Sequence, residues 1–79
     1  MNQKLILKFI ENNISTISGN PSIKVGVDDS INTIKEWDSL VTMTLGSTLG
    51  SEYGIDLDID DIEKISSVKG IFSLLGVEK

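Results

Sequence analysis

The chain reads as an all-α domain, and three observations carry that reading. Apolar residues recur at intervals of three and four across residues 3–17, across 39–53 and again from Val68 to Leu75, which sets each group on one face of a helix. These runs are bounded by capping residues or closing glycines. The one stretch that alternates like a strand, Ile55 to Asp60, has no second strand to pair with, and a lone strand does not hold. Seventy-nine residues make one small domain, 1–79, whose core contributes only a few kcal/mol of net stability.

The first helix spans residues 3–17. Ile6, Ile10, Ile14 and Ile17 form its inner stripe, widened by Leu5 and Phe9, while Lys4, Lys8, Glu11 and Asn12 take the other face. It should stop near Ser18-Gly19-Asn20-Pro21, because Gly suits the left-handed closing position and Pro cannot continue the ladder. Residues 19–37 then form a long connection. Asp28, Asp29, Ser30 and Asn32 favour turns, and Ser30–Lys35 has room for a short helical turn. Val25, Val27, Ile31, Ile34 and Trp37 are too apolar for a free linker, so the loop should lie across the bundle and plug it. Trp37 reads as the anchor just ahead of Ser39.

The second helix spans 39–53, with Leu45, Leu49 and Tyr53 inward at intervals of four and Thr42 beside them. Thr44-Leu45-Gly46-Ser47 is followed by Thr48-Leu49-Gly50-Ser51, a short repeat that stacks two glycines. Each mid-helix Gly costs about 1 kcal/mol against Ala. The pair reads as a helix rescued by local packing rather than as a strip for a ligand. Gly54 closes the helix. An extended connection follows with Ile55, Leu57 and Ile59 tucked in. Asp60 or Asp61 then caps a short third helix through Ile65, and Ser66 or Ser67 caps the last, with Val68, Ile71, Phe72 and Leu75 inward.

Composition removes several function classes. There is no Cys and no His, which excludes disulfides, thiolate metal sites and the commonest general base. All seven basic residues are Lys against twelve acidic ones, a net charge of −5. Such a surface repels nucleic acid and favours basic protein partners. No apolar run reaches membrane-spanning length, and Met1–Phe9 lacks the features of a signal peptide. The expectation is a cytoplasmic monomer without membrane insertion.

Two stretches flanking the second helix are candidate sites. Asp56-x-Asp58-x-Asp60 begins like a calcium loop, but its sixth position is Asp61 where Gly is needed and its twelfth is Ser67 where Glu belongs. No dedicated metal site is expected. Weak, nonspecific Mg²⁺ or Ca²⁺ binding at Asp56, Asp58, Asp60 and Asp61 is the most this pattern implies. At the other end of the second helix, Asp38 or Ser39 caps. If Asp38 caps, Ser39 takes the first helical position with its hydroxyl outward, beside free N–H groups and the positive end of the helix dipole. On its own, Asp-Ser before an apolar run is a cap.

The wider pattern resembles the acyl carrier proteins, small four-helix carriers of phosphopantetheine. Asp38-Ser39-Leu40 matches their attachment motif at the start of the second helix. The likeness continues through Thr42, Leu45, Leu49 and Glu52-Tyr53 and resumes at Glu63-Lys64-Ile65-Ser66-Ser67-Val68. It is best over 36–76; the first 35 residues agree in layout more than in identity.

The resemblance implies an acyl-carrier-like four-helix bundle, with three main helices, a short third one and a long loop between helices 1 and 2. It implies a non-enzyme that carries an acyl or aminoacyl thioester on a 4'-phosphopantetheine arm. Ser39 would hold the arm, donated by coenzyme A through a phosphopantetheinyl transferase. Asp38 and Leu40 would assist, and Leu40 with Val41, Met43, Thr44, Ser47 and Glu52 would meet acyl- or aminoacyl-loading and acyl-transfer enzymes. Fatty-acid members carry acidic residues along the second helix where this chain has Val41, Thr44, Gly50 and Ser51, leaving Asp38 and Glu52. Glu36 and Trp37 stand where those members have Gly and a small residue. A specialised carrier of amino acids, hydroxy acids or polyketide units fits these departures better than a fatty-acid one. The competing readings are an unmodified helical interaction module and a weak calcium-binding protein.

Overall fold

The computed structural model describes residues 2–77; Met1, which opens the stretch weighed as a signal peptide, and the last two residues of the expected domain lie outside the described residues. Among the described residues the chain is all-α: α1 (Gln3–Ser18), α2 (Ser39–Tyr53), two 3-10 turns (Ile59–Ile62 and Lys64–Ser66) and α3 (Val68–Leu75), with no strand beyond one isolated bridge between Ser30 and Ser67. Among the described residues no helix is long and apolar enough to cross a membrane.

The α1 stripe is buried at Ile6, Ile10 and Ile14. Phe9 packs edge-on against Tyr53, the last residue of α2, with ring centroids 5.4 Å apart. Leu5 does not widen the stripe as expected. It lies a turn nearer the N-terminus than the Phe9–Tyr53 contact and is 64% exposed. Asn2 caps the helix through a bond from the Lys4 N–H, and Gly19 closes it at φ 76°, the left-handed conformation that glycine adopts without a Cβ penalty.

The long connection does plug the bundle. Val25, Ile34 and Trp37 are buried, and so is Ile23, which periodicity did not single out. Val27 departs from expectation: it sits in the turn closed between Gly26 and Asp29 and stays exposed. The loop is tied down by hydrogen bonds rather than by regular structure. The Glu11 carboxylate accepts the Val25 N–H at 2.9 Å. Ile31 N–H donates to the Ser66 carbonyl and Val68 N–H to the Asp29 carbonyl, joining the loop to the start of α3. Ser30–Ile34 closes the single helical turn expected there, the Ile34 N–H donating to the Ser30 carbonyl at 3.0 Å, and it does not extend into a helix.

After α2, closed by Gly54 at φ 64°, Ile55 and Leu57 are half-buried but Ile59 is 85% exposed, so only part of the alternating stretch tucks in. The third helix is replaced by the two 3-10 turns. The first is capped at Asp58 rather than at Asp60 or Asp61, with the Asp58 N–H donating to Asp61 Oδ2 at 2.9 Å. The bond from the Asp58 N–H back to the Asp61 carboxylate favours a tight local turn over a longer helix. Ser67 caps α3 by accepting the Gly70 N–H, and Val68, Ile71 and Phe72 enter the core.

Candidate functional site

Asp38 is the cap of α2. Its backbone is extended, and Oδ1 accepts the Val41 N–H at 3.0 Å. Ser39 is therefore the first helical residue. It is exposed, and no hydrogen bond engages its hydroxyl. Among the described residues the N–H groups of Ser39 and Leu40 have no acceptor either, whereas that of Thr42 donates to the Asp38 carbonyl at 3.0 Å. A free hydroxyl beside two free N–H groups at the positive end of a fifteen-residue helix is an arrangement that accommodates an anionic substituent on the serine.

The turn before Ser39 is held from inside. Trp37 is buried, and its indole N–H donates to Thr42 Oγ1 at 3.2 Å. Thr42 in turn donates its hydroxyl proton to the Asp38 carbonyl at 3.0 Å. Trp37 thus anchors the loop ahead of Ser39, as the sequence suggested, through a bond that the sequence did not reveal.

Two grooves open along α2, one of them bordered by the serine. One, about 270 Å³, is lined by Ile31, Ser39, Thr42, Met43, Ile62 and Ser66. The next, about 360 Å³, is lined by Met43, Gly46, Ser47 and Leu57 together with Asp58, Ile59, Ile62 and Ile65. Met43 and Ile62 border both, so the grooves adjoin between α2 and the 3-10 turns. Ile31 and Ile59, which the sequence turned inward, line this region, and so does Ile62, which no periodic signal marked. Gly46 forms part of the floor because a Cβ there would lie 2.8 Å from Ile65 Cδ1. The small residue serves close packing, as the sequence reading favoured.

The expected partner strip is brought together in part. Leu40 and Met43 are 63% and 59% exposed, Ser47 and Glu52 are exposed, and Thr44 is half-buried. Val41 is a correction: it is fully buried and cannot meet a partner. It lies four residues before Leu45 and eight before Leu49, so it continues the core stripe by one turn. Extending that stripe backward was the signal that would have found it.

The acidic cluster does not assemble. Among the described residues, no three carboxylates converge to hold a metal ion. Asp61 is engaged locally, by the Asp58 N–H and by the Lys64 ammonium at 3.8 Å. Comparison of the chain with protein-family models, with curated proteins and with solved structures gives no match.

Proposed function

We propose that the chain is a carrier protein of the acyl carrier type, bearing a 4'-phosphopantetheine arm on Ser39. The observation that carries this reading is the state of Ser39: exposed, unbonded at its hydroxyl and first in a capped helix, within an Asp-Ser-Leu motif. In the loading step, catalysed by the transferase, Ser39 Oγ forms a bond to the phosphorus that carries the pantetheine of coenzyme A. The pyrophosphate P–O bond breaks, the adenosine bisphosphate leaves, and the hydroxyl proton passes to a base of the transferase. The arm supplies a terminal thiol for thioester chemistry, which a chain without Cys lacks.

The chain's own residues would act as a mount. Asp38 fixes the helix start, the N–H groups of Ser39 and Leu40 would be available to the phosphodiester, and the groove past Met43 and Ile62 would offer the arm a resting surface. Presentation of a tethered group to several enzymes relies on effective concentration, not on catalysis by the carrier. The acyl-carrier arrangement of the helices and the partners, a phosphopantetheinyl transferase and acyl- or aminoacyl-transferring enzymes, belong to the same proposal.

Intact-mass spectrometry after incubation with coenzyme A and a broad-specificity transferase tests it. One phosphopantetheinyl increment on the wild type and none on a folded Ser39→Ala variant is the expected result. A wild type that gains no mass points to the unmodified interaction module instead.

A further inference from the structure

We infer that Trp37 and Thr42 are positioning residues for Ser39, acting on the rate at which its hydroxyl reacts and not only on the stability of the fold. The inference rests on the reading of Ser39 as the attachment point.

The two side chains are buried, at 1% and 4% exposure. Thr42 is the one polar residue on the inner face of α2, among Val41, Leu45 and Leu49. A buried indole N–H needs an acceptor, and Thr42 Oγ1 provides it at 3.2 Å. Packing alone would be served as well by an apolar pair of similar shape, which leaves no polar group to satisfy. The polar pair adds direction. It links Thr42, three residues after Ser39, to Trp37, two residues before it, and the Thr42 hydroxyl also grips the carbonyl of Asp38. The carbonyl of Asp38 accepts twice, from the hydroxyl and from the N–H of Thr42. The backbone N–H of Trp37 donates to the Ile34 carbonyl at 3.0 Å. The backbone on both sides of Ser39 is thereby fixed while its own side chain is left unbonded. In the remaining tie the Val41 N–H donates to Oδ1 of Asp38, an exposed residue, and the bond is only part-buried. The buried pair is what sets the direction in which the hydroxyl is offered.

The experiment measures loading of full-length Thr42→Val, Thr42→Ser and wild type by coenzyme A and one transferase, with kcat and KM for the carrier taken from intact mass. Folded fraction is checked by circular dichroism at the assay temperature. Thr42→Val should remain folded and lose on the order of tenfold in kcat, the scale of effect that misplacing a reacting atom by less than an ångström carries, with KM little changed. Thr42→Ser, which keeps the hydroxyl, should restore most of the rate. A folded Thr42→Val loaded at the wild-type rate, or one altered only in KM, overturns the inference while leaving the attachment reading intact. A wild type that is not loaded overturns both. If Thr42→Val fails to fold, the double variant Trp37→Phe with Thr42→Val leaves no buried polar atom unpaired and is judged by the same criteria.

Discussion

Gly70 sits in the first turn of α3, where no side chain fits. A Cβ there would collide with the backbone carbonyl of Lys64 in the second 3-10 turn. Replacing Gly by Ala in a helix ordinarily gains up to about 1 kcal/mol. Overpacking costs about 1–3 kcal/mol, and backbone cannot step aside as a side chain does. Gly70→Ala should therefore lose about 2 kcal/mol or more in urea titration. Gly46→Ala meets only the end of the Ile65 side chain at 2.8 Å. Its clash and its propensity gain nearly offset, leaving a net change within about 1 kcal/mol. Equal losses at both positions would contradict this account of the glycines. Neither contact was legible in the sequence, since each joins segments brought together only by the fold. The left-handed glycines at 19 and 54 were legible, because each ends an apolar period.

At the scale of the element, α2 has two working faces. Val41, Thr42, Leu45 and Leu49 face the core, and Leu40 and Met43 stand exposed beside Ser39. Apolar contact does not weaken with salt as ion pairs do, whose range shrinks to about 3 Å at 1 M. A cognate enzyme should therefore lose more affinity to Leu40→Ala or Met43→Ala than to Glu52→Gln, and only modestly from low to moderate salt. A steep salt dependence with a large Glu52→Gln effect would show that charge governs docking. The bounds of all three α-helices were readable from periodicity and caps. The short helix expected among the aspartates at 58, 60 and 61 was not, because the Asp61 carboxylate takes the Asp58 N–H locally and the segment breaks into 3-10 turns. Their carboxylates do not converge, so Mg²⁺ and NaCl at equal ionic strength should raise the melting temperature alike. Saturable calcium binding with an extra rise would contradict that.

Across the whole molecule, one core gathers α1, the loop, α2 and α3, and Trp37 is its largest fully buried side chain. Trp37→Ala should cost about 3–5 kcal/mol in urea titration, which is why Thr42 is the gentler probe of the turn. The helical class followed from pattern. The fate of Leu5, Val27 and Ile59, all exposed, did not, because an apolar residue is buried only where another element covers it. The central claim concerns chemistry that the side chains do not supply. With no Cys in the chain, a thiol can come only from an attached group. Titration of free thiol after loading, with coenzyme A removed, should give one thiol per chain in the wild type and none in Ser39→Ala. No thiol on the folded, transferase-treated wild type, or one retained in Ser39→Ala, would contradict the account.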